Sequence, residues 1–406
     1  MPTNLSTSPD AVIELLADLV RINSVNPNYA GGVPEEELAH TVEQYFSQRD
    51  IETWRQSVYP NRPNIIARLP GRDPSRRIVL EAHMDTVSTE GMTIAPWQPD
   101  IRDGRLYGRG ACDTKGGMAA MMHTLASLAR DAVVPPCDVL FAATIDEEFS
   151  YRGVVALCNS LSSGPVDPRV LTSEMPPQEP WTAQAAIVAE PTSLLPVVAS
   201  KGVVRWKIET MGRAAHSSKP HLGINAIAHM ARIIVAIEQD ALQLSHRQHS
   251  LLGCATCNVG VIRGGVQVNF VPDRCEIEID RRLLPGEQRA EVLAHYQSLV
   301  DGVAAAQPEM RVVMHAPMLS DLPLETDPNC AAVRSLGRVL DSLGIDSTPV
   351  GVPFGSDASK FGALGIPSII FGPGSIDQAH AAVEYIECQQ VVQAAEIYRR
   401  FLVEHV

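Results

Sequence analysis

Five short stretches of this sequence lead into side chains of the types that can bind metal ions. Most begin as an apolar run typical of a buried strand, and each then reaches histidine or carboxylate groups. Taken singly, each group has an ordinary explanation, such as a turn contact or a solvated surface. Their joint occurrence at predicted strand ends indicates one common site. The stretches are VLEAHMDTV (79–87), GRGACDTKGG (108–117), FAATIDEEFS (141–150), IVAEPTS (187–193) and GPGSIDQAHAAVEYIE (372–387).

The composition of this set favours particular metals. Mixed imidazole and carboxylate ligands suit zinc, with manganese or cobalt as alternatives. Two histidines with three carboxylates exceed the three protein ligands that a catalytic zinc usually takes. Such a set suits two metal ions ~3.5–4 Å apart that share a bridging carboxylate and a water. The candidate groups are His83, Asp85, Asp113, Asp146, Glu147, Glu148, Glu190, His380 and Glu384.

The three adjacent acids Asp146, Glu147 and Glu148 follow an apolar run, although unpaired buried like charges are costly. Metal ions would supply the positive charge that makes this cluster tolerable. Neighbouring residues in extended backbone point in different directions. One glutamate can therefore bind metal while the other acts as general base on a water. In the same way, Asp85 of the His-x-Asp pair is expected to orient His83.

The elements of the first half predict how these groups meet. Continuous apolar strands alternate with helical patterns, such as the helix in KGGMAAMMHTLASLAR (115–130). This order is typical of an α/β domain with a mainly parallel sheet covered by helices on both faces. Ligand sites in such sheets lie beyond the carboxyl ends of the strands. The domain is expected to comprise residues 1–199 and 318–406.

Residues 200–317 have a different pattern. A strand at 201–212 is followed by a helix at 223–241, strands at 256–265 and 274–283, a helix at about 287–300 and a strand at 311–317. The order β-α-β-β-α-β is that of a ferredoxin-like α+β domain. Because α/β patterning returns after it, this domain is predicted to be inserted into the larger one.

Composition excludes some classes of function. The chain has 406 residues, and 33 basic against 47 acidic residues give a net charge of −14. An acidic surface argues against nucleic acid and anionic membranes as partners. The N-terminal residues predict a helix capped by Ser8, and they lack the basic region followed by an apolar region that is typical of a secretory signal. A cytoplasmic protein is therefore expected. The lone Cys-x-x-Cys at 254–257 lacks the second pair of a zinc ribbon, and five prolines mark 162–181 as a surface loop.

With these motifs, the sequence resembles the co-catalytic zinc amidohydrolases, a family that includes acetylornithine deacetylase, succinyl-diaminopimelate desuccinylase, aminoacylase and carboxypeptidase G-type enzymes. The resemblance covers nearly the whole chain. It implies two zinc ions, or cobalt or manganese, with Asp113 as the bridging ligand. It implies Glu147 as general base and a cis peptide bond between Asp113 and Thr114. The other implied ligands are His83 and Glu190 for one metal, and Glu148 and His380 for the second.

The predicted inserted domain also resembles this family. The stretch AAHSSKPHLGINAI (214–227) implies that His216 stabilises the oxyanion, from the partner subunit in dimeric members. The stretch 267–287 implies that Asn269 and Arg282 bind substrate, with Arg282 on a carboxylate. The stretch PFGSDASKF (353–361) implies a substrate-lining loop with Gly355, Ser356 and Asp357. A homodimer is expected.

The resemblance is strongest to the acetylornithine deacetylase branch. It implies hydrolysis of the amide bond of a small N-acyl L-amino acid. Two alternatives within the family stay open: a desuccinylase, for which no second cationic group is identified, and a dipeptidase or carboxypeptidase. A non-catalytic binding protein on the same fold is the alternative from another class. Loss of a ligand or of the base would favour it, and all of them are present.

Overall fold

The computed structural model describes residues 9–161 and 183–404. The predicted proline-rich loop at 162–181 and the predicted cap Ser8 lie outside the described residues. The chain forms two compact units. The first unit comprises Met1–Val198, Thr326–Val350 and Ser356–Val406, and the second unit comprises Ala199–Glu325 and Gly351–Gly355.

The helices and strands follow the chain in this order. The α-helices are α1 (Pro9–Val20), α2 (Glu36–Ser47), α3 (Gly116–Arg130), α4 (Arg152–Leu161), α5 (Ala226–Leu244), α6 (Arg289–Ala305), α7 (Ala331–Ser342), α8 (Ala358–Ala363) and α9 (Cys388–Glu404). The strands up to the second unit are β1 (Glu52–Tyr59), β2 (Arg62–Leu69), β3 (Asp73–His83), β4 (Asp100–Arg102), β5 (Arg105–Tyr107), β6 (Cys137–Thr144), β7 (Ala183–Val188) and β8 (Val197–Ser200). The later strands are β9 (Gly202–Met211), β10 (Ala215–His216), β11 (Gln248–His249), β12 (Gly253–Cys254), β13 (Thr256–Gly264), β14 (Phe270–Val271), β15 (Arg274–Leu283), β16 (Arg311–Met314), β17 (Leu319–Asp321), β18 (Leu324–Glu325), β19 (Val350–Val352), β20 (Ser368–Ile370) and β21 (Tyr385–Glu387).

The large sheet has the strand order β1-β2-β6-β3-β7-β20-β8-β18, with β19 also paired to β8. Its centre is parallel, because β3 pairs in parallel with β6 and β7, and β20 pairs in parallel with β7. The flanking strands β1, β2 and β8 pair antiparallel. The predicted α/β class is therefore confirmed, with a sheet that is mixed rather than mainly parallel.

Helices bury the apolar faces of this sheet. The central strand β6 is buried along its whole length, which explains its continuous apolar sequence. Helix α3 packs against α1 and α9 and is almost entirely buried. Its run of alanine and methionine suits this position, because small and flexible side chains allow close packing. This helix begins directly after the turn that carries Asp113.

The second unit contains an antiparallel sheet in the order β13-β15-β9-β16, with β17 also paired to β9. Together with α5 and α6, this is the predicted ferredoxin-like arrangement. Alternate residues of β15 are buried, so Arg281 faces the core and Arg282 faces the other side. Trp206 and Tyr296 pack at the centre of that core, with ring centroids 5.0 Å apart.

Membrane insertion by a helix finds no support in the described part of the chain. There, no helix combines the length and the apolar character that crossing a bilayer requires.

Candidate metal centre

Two overlapping groups of ligand-type side chains lie in the first unit. One comprises His83, Asp113 and Glu190, and the other comprises Asp113, Glu148 and His380. Within each group, one ligand atom per residue lies within 4.8 Å of the others. The two oxygens of Asp113 face different histidines: Oδ1 lies 3.1 Å from His83 Nε2, and Oδ2 lies 3.4 Å from His380 Nε2. Asp113 is thus placed to bridge two ions.

The parallel centre of the sheet brings these groups together. His83 is the last residue of β3, and β3 lies between β6 and β7. Glu148 follows the end of β6 and Glu190 follows the end of β7. Because parallel strands end at the same edge, the three side chains meet there. Asp113 enters from the turn before α3, and His380 comes from the segment between β20 and β21.

The pKa values of Glu148, Glu190 and His380 are all raised at this centre, where several acidic groups lie close together. Burial and the neighbouring Asp113 raise the pKa of Glu148 to about 7. Burial, with Asp113 again nearby, raises the pKa of Glu190 well above its usual value. Hydrogen bonds that His380 donates to the carboxylates of Asp113 and Glu148 raise the pKa of His380 to about 10. The carboxylates are thus destabilised in their charged form unless a cation compensates them.

Asp113 behaves differently from the other carboxyl groups. Burial alone would raise its pKa, but its hydrogen bonds to His380 and His83 outweigh burial and hold the pKa well below the usual range. A deprotonated bridge, two imidazoles and two further carboxylates form a donor set that fits two divalent ions such as zinc.

Glu147 lies beside these ligands without belonging to either group. Burial and the nearby Glu190 raise the pKa of Glu147 well above its usual value. The Asp85 carboxylate holds the backbone here, because it accepts hydrogen bonds from the amide nitrogens of Glu147 at 3.0 Å and Glu148 at 3.2 Å. The backbone carbonyl of Asp85 lies 2.9 Å from His83 Nδ1, whereas its nearest carboxylate oxygen lies 3.8 Å away.

Asp146, the first of the three acids, makes contacts of another kind. Its Oδ1 accepts hydrogen bonds from Asn26 Nδ2 at 2.9 Å and from Arg62 Nη2 at 3.0 Å. Arg62 also forms a two-pronged ion pair with Glu35, at 2.6 and 2.7 Å. Sequence reasoning missed Asn26, Arg62 and Glu35. A single asparagine or arginine carries no local signal when its partner lies some eighty or more residues away.

Glu384 was also a candidate metal ligand in the sequence, but its carboxylate makes other contacts in the structure. Its buried carboxylate accepts hydrogen bonds from Arg109 and from three backbone amides of the Asp113 turn. The peptide bond between Asp113 and Thr114 is cis, as the resemblance implied.

The profile described as peptidase family M20/M25/M40 matches residues 79–404, which is most of the chain and includes all five metal-type stretches. The chain belongs to this family. An acetylornithine deacetylase of Myxococcus xanthus is 31% identical over 349 residues, covering 83% of this chain and 82% of that protein. A probable succinyl-diaminopimelate desuccinylase of Staphylococcus aureus is 27% identical over 427 aligned residues, covering 97% of both chains.

Solved structures share the fold of this family member. A dinuclear metal-binding peptidase of the M20 family from Bacillus subtilis superposes with a TM-score of 0.72 at 17% sequence identity, covering 98% of this chain and 99% of that one. Membership in the peptidase family M20/M25/M40 makes the protein a metal-dependent hydrolase. The predicted resemblance is therefore confirmed.

The second unit carries four of the residues that the sequence predicted for substrate. His216 ends β10, and Asn269 directly precedes β14, which pairs with β10. The Ser217 amide donates to the Asn269 carbonyl oxygen at 2.9 Å. His216 Nδ1 lies 2.8 Å from Ser218 Oγ. Arg282 is half-buried and donates from Nε to Asp280 Oδ1 at 2.8 Å. Gly355 is half-buried in this unit.

Ser356 and Asp357 are buried in the first unit. The Ser356 carbonyl oxygen accepts a hydrogen bond from Lys360 Nζ at 3.0 Å. The Asp357 carboxylate accepts one from Thr144 Oγ1 at 3.3 Å, at the end of β6. The contribution of Ser356 and Asp357 to a substrate-lining loop stays a prediction.

Proposed function

We propose that this family member hydrolyses the amide bond of small N-acyl L-amino acids at a centre of two zinc ions. The observation that carries the proposal is the pair of ligand groups that share Asp113, with Glu147 beside them. The 31% identity to an acetylornithine deacetylase supports an N-acetyl amino acid as substrate. Cobalt or manganese are alternatives to zinc, because the donor set suits them too.

The ligands divide between the two ions as follows. His83 and Glu190 would hold one, Glu148 and His380 would hold the other, and Asp113 would bridge them. When bound, such ions lower the pKa of a water and polarise a carbonyl oxygen. Asp85 holds the backbone of the segment that carries both Glu147 and Glu148. It thereby fixes the base relative to a ligand.

Glu147 acts as the proton carrier in this proposal. Its carboxylate takes a proton from the water that attacks the amide carbonyl, and the same proton passes to the departing amine nitrogen. The products are a carboxylate and a free amino acid. His216 donates a hydrogen bond to the carbonyl oxygen as negative charge develops there. The planar guanidinium group of Arg282 binds the substrate α-carboxylate. To do so, it gives up its hydrogen bond to Asp280.

The substitution Glu147→Gln tests the role of the base. We expect unchanged metal content and a loss of turnover of about 10²–10⁴-fold, the usual contribution of a positioned acid–base group. The exposed Glu90 provides the matched control, because Glu90→Gln makes the same chemical change away from the centre. Turnover at the wild-type rate in Glu147→Gln would exclude Glu147 as the base.

The substrate class is tested by amine release from N-acetyl amino acids, N-succinyl-diaminopimelate and dipeptides, with zinc-loaded and chelator-treated protein. Chelator-sensitive turnover of N-acetyl amino acids alone supports the proposal. Turnover of N-succinyl-diaminopimelate would support the second candidate, which the 27% identity over 97% of both chains favours. Cleavage of dipeptides alone would place the activity among peptidases. Metal binding without any turnover would favour a binding protein.

A homodimer through the second unit is part of the proposal. Strand β13 lies at the edge of its sheet, and an edge strand offers hydrogen-bonding groups to a second copy. Beside it, α5 exposes Val235 and Leu242, and β13 exposes Ile262. These elements line a groove of about 770 Å³. Light scattering should give a dimer mass, and Leu242→Glu should lower it. A monomeric wild-type protein would exclude His216 acting on the partner subunit.

The proposed location is the cytoplasm, as the sequence predicted. All eight cysteines of the chain are free. Unpaired cysteines are the usual state in a reducing compartment.

A further inference from the structure

We propose that Glu384 is a positioning residue for the metal centre, which fixes the turn Gly110–Asp113 so that the two oxygens of Asp113 face two separate metal positions. The inference rests on the proposed function, because it requires metal ions in both ligand groups. Glu384 would contribute no ligand atom and would act through the backbone of Asp113.

The hydrogen bonds of Glu384 exclude it as a ligand and define its contact with the turn. Oε1 accepts from the amide nitrogens of Cys112 at 2.9 Å and Asp113 at 3.1 Å. Oε2 accepts from the Gly110 amide at 3.0 Å and from Arg109 Nη1 at 2.7 Å. A carboxylate offers about four lone-pair sites, and four donors occupy them. No lone pair is left for a metal ion.

Strand pairing places Glu384 opposite this turn. Strand β21 pairs antiparallel with β5, with Tyr385 opposite Tyr107. Glu384 directly precedes β21 and continues this pairing, because its carbonyl oxygen accepts a hydrogen bond from the Gly108 amide at 3.1 Å. His380 lies four residues earlier on the same segment. One segment thus supplies a metal ligand and the group that holds the bridging ligand.

The turn needs such a partner because its backbone is irregular. Asp113, three residues before the start of α3, has φ −120° and ψ 92°, which lie outside helical values. Gly110 has a φ of +77°, and a Cβ there would lie 2.7 Å from Thr86 Cγ2. Buried amide groups without an acceptor are costly. Glu384 accepts hydrogen bonds from three of these amides. It thereby stabilises the turn in the conformation that places Asp113 between His83 and His380.

This arrangement predicts an effect on both metal ions together. Asp113 belongs to both ligand groups, whereas Glu190 and His380 each belong to one. Rotation of Asp113 after loss of Glu384 therefore weakens both positions. A change at His380 removes a ligand from one position only.

The substitution Glu384→Gln tests the inference. A glutamine amide has one acceptor oxygen and one donor nitrogen, so two of the four donors lose their acceptor. Chelator-competition titrations of the purified protein with zinc should show both dissociation constants raised about 10–100-fold, the usual effect of removing a group that supports metal ligands. The visible absorption of the cobalt-loaded protein should change with it. Glu384→Asp, which keeps the charge, should restore part of the affinity.

The matched control is Glu387→Gln, the same change three residues later. Glu387 pairs with Arg105 at the surface, at 2.7 Å, and should leave both dissociation constants unchanged. Wild-type affinity and an unchanged cobalt spectrum in Glu384→Gln would overturn the inference, as would weakening of one metal alone. If Glu384→Gln does not fold, Glu384→Asp with wild-type constants for both ions would overturn it too. A wild-type protein that binds fewer than two ions would instead refute the proposed two-metal function.

Discussion

Replacing Arg62 by methionine should destabilise the protein and slow its reaction. Arg62 Nε and Nη2 contact the two oxygens of Glu35 at 2.6 and 2.7 Å, and Nη2 also contacts Asp146 at 3.0 Å. Glu35 is fully buried, and the Arg62 side chain is only 9% exposed. Methionine fills the space of the side-chain stem but leaves two buried carboxylates without their cation. Breaking such a pair costs about 3–5 kcal/mol of unfolding free energy.

The loss of unfolding free energy in Arg62→Met should increase with pH. Burial raises the pKa of Glu35 to about 7, although its hydrogen bond to Arg62 lowers it. The folded state therefore binds more protons than the unfolded state between pH 4.5 and 7, and stability falls as the pH rises through this window. Without Arg62 the pKa rises further. The difference between Arg62→Met and wild type should thus be largest above pH 7 and shrink towards pH 5.

Urea unfolding followed by circular dichroism at pH 5, 6, 7 and 8 measures this effect. Arg55→Met is the matched control, because Arg55 pairs with Glu36 and Glu43 at the surface. Its loss should cost about 0–1 kcal/mol. Turnover of Arg62→Met should fall about 10–100-fold, since Asp146 directly precedes the base Glu147. A loss of stability under 1 kcal/mol at pH 7, or one equal at pH 5 and pH 8, would contradict the reasoning.

Three further changes have definite expected outcomes. Chelation should lower the thermal unfolding midpoint in calorimetry, because bound metal at 1,000 times its dissociation constant stabilises by about 4 kcal/mol; an unchanged midpoint would argue against a resident metal. Tyr29→Phe removes the hydroxyl that donates to the Glu148 carbonyl oxygen at 2.6 Å, and should lower kcat about 2–10-fold with wild-type metal content. Ile277→Ala, in the core of the second unit, should cost about 2–5 kcal/mol in urea unfolding, whereas Ile101→Ala, at a side chain that is 53% exposed, should cost little.

The sequence predicted elements whose pattern is local. Strand β15 was expected at 274–283 and spans Arg274–Leu283, because its alternating side chains face a core on one side only. Helix α3 was expected at 115–130 and spans Gly116–Arg130. The ligand-type groups at the ends of β3, β6 and β7 were also recognisable, since strand ends can be read from the chain itself.

Contacts between distant segments were not recognisable. Asn26 bonds to Asp85 and Asp146 across 59 and 120 residues, and no spacing in the sequence marks such pairs. In the sequence, Asp146 was a candidate metal ligand like Glu147 and Glu148, whereas in the structure its carboxylate accepts hydrogen bonds from Asn26 and Arg62. The antiparallel flanks of the large sheet were missed for a related reason: an apolar strand buried on both faces has the same composition in either direction.

The segment from His380 to Glu384 has a consequence for how the protein becomes active during synthesis. Glu384 contacts Asp113 across 271 residues of chain, and the whole second unit lies between them in sequence. A ribosome must therefore translate nearly all of the described chain before the bridging aspartate can be held in place. Incomplete chains would contain four of the five ligands and the base but lack the last ligand, His380, and the support of the bridge. Hydrolytic activity would thus arise late, as a property of the finished polypeptide.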